Sequence, residues 1–171
     1  MKIINQIVAV IFVAVFMLGI SSCENANSSS SNNSQSKISS SELFERLNWE
    51  NIDKKIDEKA VLGDDLFDKN CEKLYNIELS ALSDGGIICS DNGGFADEIS
   101  VLKAQSITEE ELTELLKQRV QRRIKDFTGY KPQEIEKIEN SHVFVCGGFA
   151  ILIISDDAEK LEQQIKEILS E

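Results

Sequence analysis

The sequence HVFVCGGFAILII, at residues 142–154, contains two apolar runs joined by a pair of glycines. Gly147-Gly148 is typical of the two-residue loop of a β-hairpin. The second run is apolar at every position from Ile151 to Ile154, so we expect a strand that is covered on both faces. This sequence therefore predicts two antiparallel strands, and it places the second of them near the centre of a sheet.

The best-defined helix is predicted upstream of this hairpin. Thr108 and Glu111 have the spacing of a capping box, in which each side chain accepts a hydrogen bond from a free backbone N–H group. Gly129 is a typical residue just after a helix. Apolar residues recur between them at intervals of three and four, which predicts one buried face: Leu112, Leu115, Leu116, Val120, Ile124 and Phe127.

The other elements complete the fold prediction. Helical spacing is found over residues 43–56, over 64–74 and after Asp156. Two more strands are predicted at residues 87–89 and 96–104, with Asp84-Gly85-Gly86 read as the turn before the first of them. This order predicts the α+β class, with a mainly antiparallel sheet of about four strands packed against helices in a two-layer sandwich.

The N-terminal residues have the composition of an export signal. Lys2 precedes an apolar run from about Ile7 to Leu18, which is shorter than the roughly 20 residues that a membrane-spanning helix needs. The following residues Ile20-Ser21-Ser22-Cys23 resemble a bacterial lipobox. That resemblance implies diacylation of the Cys23 thiol and cleavage just before it. An ordinary signal peptide and an uncleaved signal anchor are the alternatives.

Three regions follow from this interpretation. Residues 1–22 are predicted to be the lipoprotein signal peptide, and residues 23–41 the lipidated cysteine and a tether rich in Ser and Asn. Such a tether has too few apolar side chains to offset the entropic cost of ordering. Residues 42–171 are predicted to form a single globular domain. The protein is then expected at the cell membrane, on its extracytoplasmic face, held there by two acyl chains.

Charge and cysteine content exclude several classes of protein. The formal net charge is −12, which disfavours binding to nucleic acid. If Cys23 carries lipid, three cysteines remain, so at most one disulfide forms and a disulfide-stapled scaffold is excluded. No cofactor is expected. A histidine-based zinc site is not expected either, because the chain has one histidine.

Acidic residues near a glycine-rich turn are the candidate ligand contacts. Asp91 lies in the turn, and Asp97-Glu98 begins the next strand. Oxygen ligands of this kind suit a hard cation, although the stretch does not match the twelve-residue calcium loop. Because adjacent strand residues point to opposite faces, both carboxylates of Asp97-Glu98 are not expected in one pocket. The alternative is a solvated turn in which Asp97 accepts hydrogen bonds from nearby backbone N–H groups.

Two other groups of residues have a structural and a functional interpretation. Cys89 and Cys146 lie in apolar strands and are interpreted as buried small side chains, with a disulfide between them as the alternative. Activation of a thiol by His142 requires hydrogen-bond contact, which is open only if its strand and that of Cys89 are neighbours. The basic residues Arg119, Arg122 and Arg123 suit the end of a helix dipole and exposed ion pairs, with an anion contact as the alternative.

The chain resembles a family of uncharacterised small lipoproteins of Gram-positive bacteria that carry a domain of unknown function. The resemblance is found from Phe95 onward, and it covers about 100 residues when the upstream landmark at Tyr75 is included. It rests on Ala96-Asp97-Glu98-Ile99, Tyr130-Lys131-Pro132-Gln133-Glu134, Ile138-Glu139-Asn140 and Ile154-Ser155-Asp156-Asp157, with Tyr75-Asn76-Ile77 as an upstream landmark. In that family one glycine and a polar residue usually form the hairpin turn, where this chain has Gly147-Gly148. The resemblance implies fold and location but no activity.

The sequence favours a membrane-anchored, non-catalytic binding or interaction module. Its ligand would be a small molecule, a wall component or another envelope protein. No nucleophile elbow, phosphate loop or Cys-x-x-Cys pair is found in the chain. One alternative is an enzyme that acts on the envelope through acidic residues near Asp91 and Asp97, and a second is a passive structural protein of the surface. Two convergent carboxylates in a pocket would favour that enzyme.

Overall fold

Five β-strands form one antiparallel sheet in the part of the chain that the computed structural model describes, namely residues 35–52, 55–90 and 93–171. The spatial order is β1-β2-β3-β5-β4, and each strand is antiparallel to its neighbours. The strands are β1 (Glu58–Val61), β2 (Leu82–Cys89), β3 (Glu98–Ala104), β4 (His142–Cys146) and β5 (Phe149–Ile154). As predicted, β5 is an internal strand, and each of its residues is buried.

Five α-helices accompany the sheet within the same described ranges. They are α1 (Ser40–Leu47), α2 (Asp65–Asn70), α3 (Glu109–Thr128), α4 (Ile135–Glu139) and α5 (Ala158–Leu169). A π-helical turn, Cys71–Tyr75, continues α2, and short 3₁₀ turns are found at Trp49–Asn51, Leu79–Ala81 and Pro132–Glu134. None of the described helices is both long and apolar enough to cross a bilayer.

Helices cover both faces of the sheet. On one face, α3, α2 and the π-helical turn pack against β-strand residues such as Ile87, Leu102 and Leu152. On the other face, α1 and α5 pack against Ile88, Ile99 and other residues of the opposite parity. The α+β class and the antiparallel sheet are confirmed. The predicted two-layer arrangement is corrected to three layers, because a strand that is apolar at successive positions must be covered on both sides.

The predicted turn at Asp84-Gly85-Gly86 is wrong, because these residues lie inside β2. A β-carbon on Gly85 would come within 2.6 Å of the Phe67 ring, and one on Gly86 within 2.4 Å of the Phe44 ring. The two glycines therefore make room for an aromatic ring on each face of the strand. The sequence analysis also missed β1, which is only four residues long and pairs with the second half of β2.

Two local predictions are confirmed in detail. Thr108 and Glu111 form the capping box of α3, with both reciprocal hydrogen bonds present. Gly147 and Gly148 join β4 to β5, and both have positive φ angles of 60° and 81°. Such angles are typical of a type I′ hairpin turn and favour glycine strongly.

The chain enters the fold at the hairpin end of the sheet. The backbone N–H of Ser36 donates to the carbonyl of Gly147 at 3.0 Å, and α1 then begins at Ser40. Packed structure therefore starts a few residues before the predicted boundary at residue 42. The predicted signal peptide, Cys23 and most of the predicted tether lie outside the described residues.

Candidate functional site

A row of three polar side chains crosses the sheet at the end opposite the hairpin. In the strand register Glu58 of β1 pairs with Cys89 of β2, and Cys89 pairs with Glu98 of β3. Paired residues in neighbouring strands point to the same face. This face is the one covered by α3 and the π-helical turn. The register therefore places two carboxylates and a thiol under the same helical layer.

Glu98 is fully buried and is held by Arg119 of α3. The Arg119 Nη2 atom donates to Oε2 of Glu98 at 2.6 Å, and Nε lies 3.2 Å from each carboxylate oxygen. Only 7% of the Arg119 side chain is exposed. A buried charge of this kind is tolerated only when it is paired and hydrogen-bonded, and the bidentate guanidinium meets that requirement.

The π-helical turn supplies a third partner for this pair. Tyr75, the last residue of the turn, is fully buried, and its hydroxyl group donates a hydrogen bond to Glu98. The same hydroxyl also contacts Ser100 Oγ, two residues further along β3. π-helical turns are rare and occur frequently at functional sites, where the extra residue changes the direction of a side chain. Here Tyr75 is the last residue of the turn, and its hydroxyl group contacts the Glu98 carboxylate.

The pKa of Glu98 reflects this competition between burial and charge. Burial acts to raise the pKa, but the charge and hydrogen bonds of Arg119, the charge of Arg123 and the Tyr75 hydroxyl lower it from 4.5 to about 2. The Arg119 pKa is raised, because the attraction of Glu98 exceeds the opposing effect of burial. Glu98 is therefore a carboxylate at neutral pH, and Arg119 is its counterion.

Arg123 is a second guanidinium beside the same carboxylate. Its Nε atom lies 3.6 Å from Glu98 Oε2, and within the described residues this buried Nε has no hydrogen-bond partner. Its Nη2 atom donates to the carbonyl of Phe95 at 3.3 Å, and its guanidinium carbon lies 4.9 Å from the centre of the Phe127 ring. Two buried cations thus face one buried anion.

A cleft of about 340 Å³ opens beside this pair of arginines. Among the described residues that line it, Glu58 is the one acidic residue against three basic residues, so these residues carry a positive surplus in a chain of net charge −12. Leu66 is 38% exposed and supplies apolar surface there together with Leu74. The full lining consists of Glu58, Leu66, Asn70, Lys73, Leu74, Cys89, Ser90, Gly93, Arg119 and Arg123.

Asp97 belongs to a different group of charges. Its Oδ2 atom accepts from Lys137 Nζ of α4 at 2.7 Å, and the same ammonium reaches Glu134 Oε2 at 3.0 Å and Asp156 Oδ2 at 3.7 Å. Glu134 also accepts from the backbone N–H of Ala96 at 3.0 Å. The interpretation of Asp97 as part of a solvated turn is corrected, because its side chain is fully buried against Lys137.

Of the three predicted acidic contacts, Asp97 and Glu98 lie in different ion-pair groups. Asp97 and Glu98 bind different cations, as expected for adjacent residues, and Asp91 lies outside the described residues. Neither Asp97 nor Glu98 is exposed, and neither belongs to the cleft lining. Within the described ranges, no group of three or more acidic, cysteine or histidine residues is arranged to hold a metal ion.

The three cysteines among the described residues are free thiols, and the strands of Cys89 and Cys146 are not neighbours. Cys89 is in β2 and Cys146 is in β4, with β3 and β5 between them, so the alternative of a disulfide is corrected. The same separation keeps His142 away from Cys89. His142 instead contacts Glu162 of α5. Burial raises the pKa of the Cys89 thiol, and the charges of Glu98 and Glu58 raise it further, which is the opposite of thiol activation.

Burial of Arg119 and Arg123 was not predicted from the sequence. Their charges were interpreted as exposed groups that suit the end of the helix dipole, whereas the two arginines are 6% and 9% exposed. A signal was present in the spacing. Both arginines lie on the same helical face as Leu112, Leu116 and Phe127, and all five side chains are buried. A charged residue within an apolar stripe indicates a buried counterion elsewhere in the chain.

Fold and site together define a three-layer α+β domain with buried ion pairs and a polar cleft at one end of the sheet. The chain belongs to the family described as domain of unknown function DUF4358, which matches residues 51–155. The match includes the strands that contain Glu58, Cys89 and Glu98, and it confirms the resemblance to a domain of unknown function. No curated protein and no solved structure matches the chain.

Proposed function

We propose that this protein is a lipid-anchored binding protein of the extracytoplasmic membrane surface, with the cleft beside Arg119 and Arg123 as its ligand site. The anchor is Cys23 of the Ile20-Ser21-Ser22-Cys23 sequence. An origin in a Gram-positive bacterium and a role in the cell envelope belong to the same proposal, because they come from the resemblance to small lipoproteins.

The observation that carries the proposal is the position of the cleft relative to the incoming chain. Ser36 contacts Gly147 at the hairpin end of the sheet, whereas Cys89 and Gly93 line the cleft at the other end. β3 runs from the cleft end to the hairpin end over seven residues, which corresponds to roughly 20 Å. The first described residues therefore lie at the opposite end of the sheet from the cleft.

The chemistry of the cleft favours binding over catalysis. The thiol of Cys89 has a raised pKa, so it is a poor nucleophile. The Glu98 carboxylate is covered by Arg119 and Tyr75 and does not line the cleft. Among the described residues Glu58 is therefore the one carboxylate in the lining, and paired-carboxylate catalysis needs two. The partner of the anchor is the lipid bilayer, and the partner of the cleft is a small molecule.

Metabolic labelling with a palmitate analogue tests the anchor. The full chain is expressed in a bacterial host with a lipoprotein pathway, and label and membrane fractionation are measured together. We expect label in the membrane-bound protein and loss of both label and membrane association in Cys23→Ala. The matched control Cys146→Ala should keep both. Persistent acylation in Cys23→Ala, or an unlabelled wild-type protein, would show that the proposed anchor is wrong.

A further inference from the structure

Arg123 carries a charge that the fold does not need for neutralising Glu98. Both oxygens of Glu98 already accept hydrogen bonds from Arg119, and one also accepts from Tyr75. Arg123 therefore approaches only to 3.6 Å through Nε. Within the described part of the chain its remaining hydrogen bond is to the Phe95 carbonyl, which does not neutralise charge. Glu98 is thus shared by two buried guanidiniums, which leaves one positive charge in excess in this described group.

The Arg123 side chain also lines the cleft, which is open to solvent. Lys73, which is exposed, lies in the same lining and adds a second positive group. The opposing charge is Glu58, whose Oε1 atom accepts from Asn70 Nδ2 at 3.2 Å and from the Cys89 thiol at 3.5 Å. Glu58 is therefore held at the β1 side of the cleft, and the described lining residues together carry a net positive charge.

Apolar surface lies next to these charges. Leu66 is one of the few large apolar side chains that the described residues leave exposed, and it lies in the cleft with Leu74. Small-molecule sites typically combine apolar walls with a few polar groups that fix orientation. A guanidinium recognises a carboxylate through paired hydrogen bonds, which a point charge such as lysine does not provide.

We propose that the cleft binds a small molecule with a carboxylate group joined to a short apolar tail, and that Arg123 holds the carboxylate while Leu66 contacts the tail. This inference rests on the binding role proposed above and names the class of its ligand. A volume of about 340 Å³ has room for a molecule of this kind. The ligand's charge would complete the pairing of the second buried guanidinium.

Thermal unfolding of the full chain, purified in a non-ionic detergent, tests the inference. Fluorescence of Trp49, the single tryptophan, reports unfolding. The probes are sodium butyrate, its neutral isostere butyramide, and sodium chloride at matched ionic strength. We expect butyrate to raise Tm in a saturable way, by several degrees at 100 times its Kd, and the other two probes to give no saturable rise. Equal curves for butyrate and chloride would overturn the inference.

Two variants and a control assign the effect to the cleft. Arg123→Gln should abolish the rise or weaken the apparent affinity at least about ten-fold, which is the loss expected for one charged hydrogen-bonding partner. Arg46→Gln removes a guanidinium that pairs with Glu171 outside the cleft, and it should respond as the wild type does. An Arg123→Gln protein with wild-type affinity would contradict the inference.

Leu66→Ser keeps the test decisive if Arg123→Gln does not fold. Leu66 is partly exposed, so this change should leave the fold intact. It should weaken butyrate more than acetate, because only butyrate has a tail to contact Leu66. Equal losses for both acids would contradict the role of Leu66. A rise in Tm with inorganic phosphate alone would exclude the carboxylate class of ligand and leave the binding role standing. Neither result affects the acylation test of Cys23.

Discussion

Asp97 and Glu98 are neighbours in the sequence, yet their carboxylates belong to ion-pair groups of opposite composition. Around Asp97, one buried ammonium from Lys137 is shared by three carboxylates. Around Glu98, two buried guanidiniums share one carboxylate. In the first group the excess charge is negative, and its outermost carboxylate is Asp156, which is 63% exposed and also pairs with Lys55 at 3.1 Å. In the second group the excess charge is positive, and within the described residues it lies next to the cleft.

This difference shows which charge the fold depends on. Lys137 has other carboxylates within reach when Asp97 is neutralised, so it keeps a partner. Within the described residues, by contrast, Glu98 is the one carboxylate that pairs with Arg119 and Arg123. Removing the counterion of a buried charge destabilises a protein by more than forming the ion pair stabilises it. The two adjacent acids should therefore respond very differently to the same chemical change.

Glu98→Gln should have the largest effect. The amide cannot neutralise two buried guanidiniums, so we expect the free energy of unfolding to fall by about 3–5 kcal/mol. Urea unfolding followed by Trp49 fluorescence and far-UV circular dichroism measures this loss. Glu114→Gln, at an exposed position of α3, is the matched control and should stay within about 0.5 kcal/mol of wild type. A loss below about 1 kcal/mol for Glu98→Gln would mean that the arginines have other partners.

The pH dependence of stability should be the next largest effect. The pKa of Glu98 is lowered to about 2 in the folded protein, so between about pH 4.5 and 2 the unfolded chain binds more protons. Stability should therefore be complete above this window and should fall by about 3 kcal/mol as the pH decreases through it.

Comparison with Glu98→Gln isolates this part of the acid response. The pKa values of Glu134 and Asp156 are also lowered, so other carboxylates contribute with the same sign. The variant lacks the Glu98 carboxyl group, and its curve of unfolding free energy against pH should be flatter below pH 4.5. Glu114→Gln should retain the wild-type slope. Parallel curves for wild type and Glu98→Gln would contradict the assigned role of Glu98.

Asp97→Asn should have the smallest effect of the three. The change removes one charged hydrogen bond from Lys137, which keeps Glu134 at 3.0 Å, so we expect a loss of about 2 kcal/mol. Asp126→Asn, at an exposed position of α3, serves as the control. Urea unfolding under the conditions used for Glu98→Gln gives the difference directly. If Asp97→Asn were as damaging as Glu98→Gln, the contrast between the two groups would be refuted.

Local sequence patterns predicted most of the fold. The apolar run of β5, the Gly147-Gly148 loop and the capping box at Thr108 each depend on residues within a few positions of one another. The prediction failed at Gly85 and Gly86 because a glycine pair marks a turn in most sequences. Here the pair gives space to Phe67 and Phe44, which approach from elements far away in the chain.

The candidate site was predicted only in part. The alternation of side chains along a strand correctly indicated that Asp97 and Glu98 would not share a pocket. Helical spacing placed Arg119 and Arg123 on the buried face of α3, but charge alone suggested exposure. The role of Tyr75 depends on the π-helical turn, whose backbone geometry has no reliable local signature.

The sequence by itself determined most of the elements, their order and the α+β class, because helix caps, hairpin loops and apolar periodicity act over short distances along the chain. Only the tertiary structure decided which charges meet. Glu98 finds Arg119 across 21 residues and Tyr75 across 23, and Asp97 finds Lys137 across 40. Those pairings follow from strand register and from the seating of α3 and α4 on the sheet. Burial then fixes their energetics, because removing water makes each charge depend on the partner that packing provides.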